Sequence, residues 1–101
     1  MVDNPIIDNY LLKTSLTVSL ITWINYRDSS LIFFDGHVIA VIIFNADTYL
    51  YDVILTGHQN LLHTFYTFEE GKKLVLSEID ARQKAIDLPK QQWLSEHKEQ
   101  Q

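Results

Sequence analysis

LIFFDGHVIAVIIFNADTYLYDVIL, residues 31–55, decides the architecture. It gathers β-branched and aromatic residues into short runs, a composition that suits a pleated surface and disfavours helix, where branched side chains lose rotamer freedom. Each break between runs is a turn signal. Asp35-Gly36 separates two apolar runs, and a DG pair in that setting favours the tight hairpin turn whose central residues both need positive φ. His37 to Phe44 is apolar on both alternating sets, which predicts a central strand covered on both faces. Asn45-Ala46-Asp47 forms the next turn. The following strand carries Tyr49, Tyr51, Val53 and Leu55 on one face and Leu50, Asp52 and Ile54 on the other. Connections this short make neighbouring strands antiparallel, because a parallel pair needs a crossover of about a dozen residues or more.

Upstream, Leu16 to Ile24 alternates with period two, Val18 and Leu20 against Ser19, Ile21 and Trp23, and reads as a strand. Residues 1–9 read as a loose arm, and Tyr10 to Lys13 fits a helical turn or a strand start equally. Downstream, Leu61 to Tyr66 is an edge-like strand. Thr67 followed three residues later by Glu70 is a capping-box signature, and the early carboxylates suit the positive end of a helix. Phe68, Gly71, Leu74, Val75, Ile79, Ala85 and Ile86 then fall on one stripe. Gly71 is a poor helix former inside that stripe, which points to close approach of the helix to the sheet. Pro89 is expected to end the helix near Asp87 or Leu88, leaving residues 89–101 as a polar tail. The expected fold is α+β: one domain, an antiparallel meander of four to five strands over residues 16–66, and one C-terminal helix over residues 67–88.

The 101 residues carry 47% hydrophobic and 21% charged side chains and no cysteine. These values fit one folded domain and exclude disulfides and thiol chemistry. The opening MVDNPIIDNY lacks the basic run of a secretory signal, and no apolar stretch approaches the about 20 residues of a membrane span. Net charge is −5, and before Thr67 the only cations are Lys13 and Arg27. A sheet so poor in cations gains little from releasing phosphate counterions. The cations Lys72, Lys73, Arg82 and Lys84 lie among acids on the helix. They support nucleic-acid binding as the alternative function and are more simply a solvated helix face.

Neither a metal site nor a catalytic constellation is spelled out. The histidines lack helical i,i+4 ligand spacing, with His58 and His63 flanking a turn as the one conceivable pair. Asp52 sits among apolar neighbours on its strand face, the setting of a catalytic carboxylate, yet no second acid or nucleophile is spaced to pair with it. The bland reading of Asp52, a carboxylate at a sheet rim, is the stronger. Aromatic residues are more informative. Tyr49 and Tyr51 on one strand face can bury area while keeping a polar tip. One helix covers one face of a sheet, and the apolar residues of the other face call for a partner, most economically a second copy in a symmetric dimer.

The arrangement also resembles small accessory proteins often encoded in bacteriophages and prophages. The shared features are a strand carrying Trp (Leu20-Ile21-Thr22-Trp23), the strands Val38-Ile39-Ala40 and Thr48-Tyr49-Leu50-Tyr51-Asp52-Val53, and a phenylalanine entering a capped helix (Phe65-Tyr66-Thr67-Phe68-Glu69-Glu70-Gly71-Lys72). Gly71 stands where that pattern usually has alanine. The resemblance implies an accessory protein of the bacterial cytoplasm that acts by binding and inhibiting a host factor. The expected activity is non-enzymatic, without cofactor or metal, and the uncovered sheet face and low cation content point to a partner-binding surface of Trp23, Tyr49, Tyr51 and Asp52.

Overall fold

The structure is a computed structural model that describes residues 4–57 and 61–98. Six strands follow one another as β1 (Ile6–Lys13), β2 (Val18–Asn25), β3 (Ser29–Phe34), β4 (His37–Asn45), β5 (Leu50–Leu55) and β6 (Leu61–Phe65), and one helix, α1 (Phe68–Lys98), closes the chain. All neighbours are antiparallel and the spatial order equals the sequence order. The α+β meander under a C-terminal helix stands as expected, with six strands in place of four to five. The additional strand is β1, which begins inside the supposed N-terminal arm.

Turn chemistry fixes the registers. Asp35 and Gly36 adopt φ of 50° and 82°, the left-handed pair that matches the twist of a two-residue hairpin. Between β3 and β4 the register shifts, with Ile32 opposite Ala40 and Phe33 opposite Val38. Ile39 is the extra residue, and consecutive Ile39 and Ala40 are both buried. Strict alternation forbids that; a bulge allows it.

Helix α1 starts as its cap dictates. The Glu70 amide donates to Thr67 Oγ1 at 3.2 Å, while the Glu70 carboxylate accepts from the Tyr66 amide at 3.3 Å, one residue earlier than in the usual reciprocal box. The core lies between this helix and one sheet face: Ile21, Ile32, Ile42, Val53, Val75 and Ile79 are all buried. The expected stripe needs one exchange, because Ala85 is exposed and Gln83 is buried.

Two further expectations are corrected. The helix does not stop before Pro89 but runs on to Lys98. Pro89 removes one amide donor and crowds the carbonyl four residues back, but Ala85 there is exposed, so that carbonyl has solvent within reach. Nor is β4 covered on both sides: Val38 and Ile43 are 39% and 40% exposed. A run apolar on both sets resembles a doubly covered strand, yet one helix can cover only one face.

Candidate functional site

The helix crosses the sheet obliquely, and that geometry creates the site. At its start Phe68 meets Tyr51, with ring centres 6.1 Å apart. At its far contact Asp87 accepts from Thr17 Oγ1 at 2.7 Å and Thr14 Oγ1 at 3.2 Å, in the turn joining β1 and β2. One corner of the sheet beside the helix is thereby left open. It forms a cleft of about 930 Å³ lined by residues of β1 to β5 and of the first helical turns.

Strand alternation supplies the floor and walls. On β2, Ser19, Ile21, Trp23 and Asn25 share the helix side, and the register sets Asp8 beside Trp23, Ser30 beside Asn25 and Ile42 beside Ser30. Trp23 is 6% exposed and forms part of the floor. Its polar surroundings are internally satisfied: Ser30 Oγ donates to Asn25 Oδ1 at 2.8 Å, and Asn25 Nδ2 donates to Asp8 Oδ2 at 3.2 Å. Along one wall Phe44 packs against Tyr51 at 5.1 Å, and Tyr49 reaches Phe44 at 6.3 Å. Phe68, Lys72 and Leu76 are spaced four apart on the helix, hence on one face, and all three line the cleft. The Lys72 ammonium stands 6.0 Å from the Trp23 ring centre, within cation–π reach. Arg27 and Asp28 complete the lining from the turn between β2 and β3.

The cleft thus combines an aromatic and aliphatic interior with two cations, Arg27 and Lys72, and two carboxylates, Asp8 and Asp28. Its volume lies in the usual range of binding sites, about 300–1,000 Å³. Of the four residues singled out in the sequence, Trp23 and Tyr51 line it and Tyr49 joins it through Phe44. Asp52 points to the opposite side of the sheet, where it accepts from Thr64 Oγ1 at 3.2 Å. Sequence reasoning did not single out Asp8, Asn25, Ser30 or Phe44 as site residues. Period-two spacing on β2 carried a signal for Asn25, two residues beyond Trp23, whereas Asp8 required knowing that β1 is a strand.

That opposite side is a second surface. Ile7, Ile24, Leu31, Val41, Ile54 and Leu62 form one register line across all six strands. No helix covers it, and its ends, Ile7 and Leu62, are 55% and 61% exposed.

The other sequence candidates are engaged elsewhere. Lys84 pairs with Asp80 at 2.9 Å, and Arg82 pairs with Glu78 at 3.0 Å while Arg82 Nη2 donates to the Thr56 carbonyl at 2.8 Å. His63 stacks on Phe65, and His58 lies outside the described residues. Among the described residues no group of three potential ligands could hold a metal ion, and no helix is long and apolar enough to cross a membrane.

Comparison with protein-family models, curated proteins and solved structures finds no match for this chain. The resemblance to phage accessory proteins therefore rests on the sequence grammar alone.

Proposed function

We propose that this protein acts by binding another protein, without catalysis, and that the cleft beside α1 receives the partner's side chains. The observation that carries this reading is the aromatic lining of the cleft, Trp23, Phe44, Tyr51 and Phe68. Aromatic groups bury much area at low entropic cost and dominate the energetics of interfaces. The four charges around them, two of each sign, favour a peptide segment with an apolar or aromatic anchor flanked by both charge types. A host factor in the bacterial cytoplasm, bound and inhibited by a phage-type accessory protein, is the form of this reading that the sequence resemblance suggests. Nucleic-acid binding through α1 is the weaker alternative, because Arg82 and Lys84 are held in pairs with acids and Lys72 lies over Trp23.

Selection from a random peptide library on the full chain tests the reading. In a Trp93→Phe background Trp23 is the sole indole, so a peptide in the cleft shifts its emission. Selected peptides should carry an aromatic or large aliphatic anchor, and Lys72→Glu and Tyr51→Ser should each weaken them by roughly tenfold or more. Failure to select any peptide, or selected peptides indifferent to both substitutions, would overturn the reading.

A further inference from the structure

The cleft accounts for one side of the sheet only. We infer that the other side is a self-recognition surface, on which a second copy of this chain packs sheet against sheet about a two-fold axis. The line Ile7, Ile24, Leu31, Val41, Ile54 and Leu62 takes one aliphatic residue from every strand. It has no polar interruption and extends across five strand spacings, about 24 Å. With strands about six residues long, the face measures roughly 500 Å² in plan. Two copies together bring roughly 1,000 Å² before side-chain relief is added, close to the area of a specific interface.

Charge selects the occupant. The chain carries a net charge of −5, yet the strand positions on this face contribute one cation, Lys13, and one anion, Asp52. Two identical faces therefore meet without net repulsion, although the two molecules as wholes repel. A strongly charged partner, nucleic acid included, would find no complementary field here. The helix lies on the far side of the sheet, so it does not obstruct a second sheet at the usual spacing of about 10 Å. An isologous pair of this kind closes on itself. It directs the two clefts outward on opposite sides, which makes the assembly bivalent toward whatever the cleft binds.

Sedimentation of the full chain at concentrations up to roughly 100 μM, where specific interfaces are populated, tests this. The expected mass is that of two chains. Val41→Lys, in the middle of the line, should weaken self-association by roughly tenfold or more, whereas Lys72→Glu in the cleft should leave it unchanged. Should Val41→Lys fail to fold, Ile7→Lys with Leu62→Lys decides, because both sites are on edge strands and exposed. A single-chain mass throughout the range would overturn the inference while leaving the peptide selection on the cleft untouched. So would a dimer that survives the edge-strand double variant.

Discussion

A Cβ placed on Gly71 would lie 2.9 Å from Val53 Cγ2, closer than two carbons can stand without one of them moving. The first turns of α1 rest on β5 through that missing methyl group. Alanine normally stabilises a helix interior by about 1 kcal/mol over glycine. Here Val53 is fully buried and stiff about χ1, so it cannot swing aside. Overpacking costs about 1–3 kcal/mol. Gly71→Ala is therefore expected to lower stability, by up to about 2 kcal/mol once the helix gain is subtracted, read as a lower urea midpoint at unchanged slope. A raised midpoint would show that the helix lifts off at no cost.

Gln83 holds the other end of the helix contact. It is buried and accepts from Ser19 Oγ at 2.7 Å, and its Nε2 donates to Thr17 Oγ1 and, at 3.4 Å, to Asp87 Oδ1. Gln83→Leu keeps much of the volume but leaves the buried Ser19 hydroxyl without its acceptor, which costs about 1–3 kcal/mol. Adding Ser19→Ala removes the stranded group, so the double variant should recover part of the loss. Strict additivity of the two substitutions would rule out a coupled pair.

Tyr49 adopts φ of 58° in the turn between β4 and β5. For a bulky residue this left-handed backbone costs about 1 kcal/mol or more, and glycine occupies it freely. Tyr49→Gly should leave stability unchanged or raise it by up to about 1 kcal/mol, offset by the lost contact with Phe44. The same variant should bind cleft-directed peptides more weakly. A variant that binds as tightly as the parent would remove Tyr49 from the proposed surface.

Residues 88–97 of α1 are exposed throughout, although Trp93 and His97 stack at 3.8 Å. At 1.5 Å per residue the helix is about 46 Å long, and its last described contact with the sheet is Asp87. Removing residues 90–101 should reduce helical circular dichroism while shifting the thermal midpoint by less than about 2 °C, since no core residue is lost. A larger drop would mean that the overhang is clamped in solution.

Much of this architecture could be read directly from residue order. Residues 31–66 announce their strands and turns through branched and aromatic runs broken by DG and NAD. Thr67 and Glu70 mark the helix start, and Gly71 its close approach. The first strand was hidden because Asp8 and Asn9 are poor strand formers at its centre, and only pairing with β2 holds them extended. The helix beyond Pro89 was hidden because proline argues against continuation whatever lies beyond it. Period two put Trp23 and Tyr51 each on a strand face. Only the oblique path of α1 decides that those faces border a cleft and that Asp52 lies on the other side. On β2, Val18, Leu20 and Ile24 look away from the helix, while Ile21 and Trp23 face it. Hydrophobicity marks a face that wants cover without saying what supplies it.

Because each strand pairs with its neighbour along the chain, the sheet assembles from hairpins, and forming it closes only short loops. The helix contacts are different. The bond between Ser19 and Gln83 spans 64 residues, and those from Thr17 and Thr14 to Asp87 span 70 and 73, so they close the long loops. Local contacts form fast and distant ones slowly. Docking of α1 onto an already zipped meander is therefore the expected late event of folding, and substitutions at Gln83 or Gly71 should accelerate unfolding while leaving the refolding rate nearly untouched.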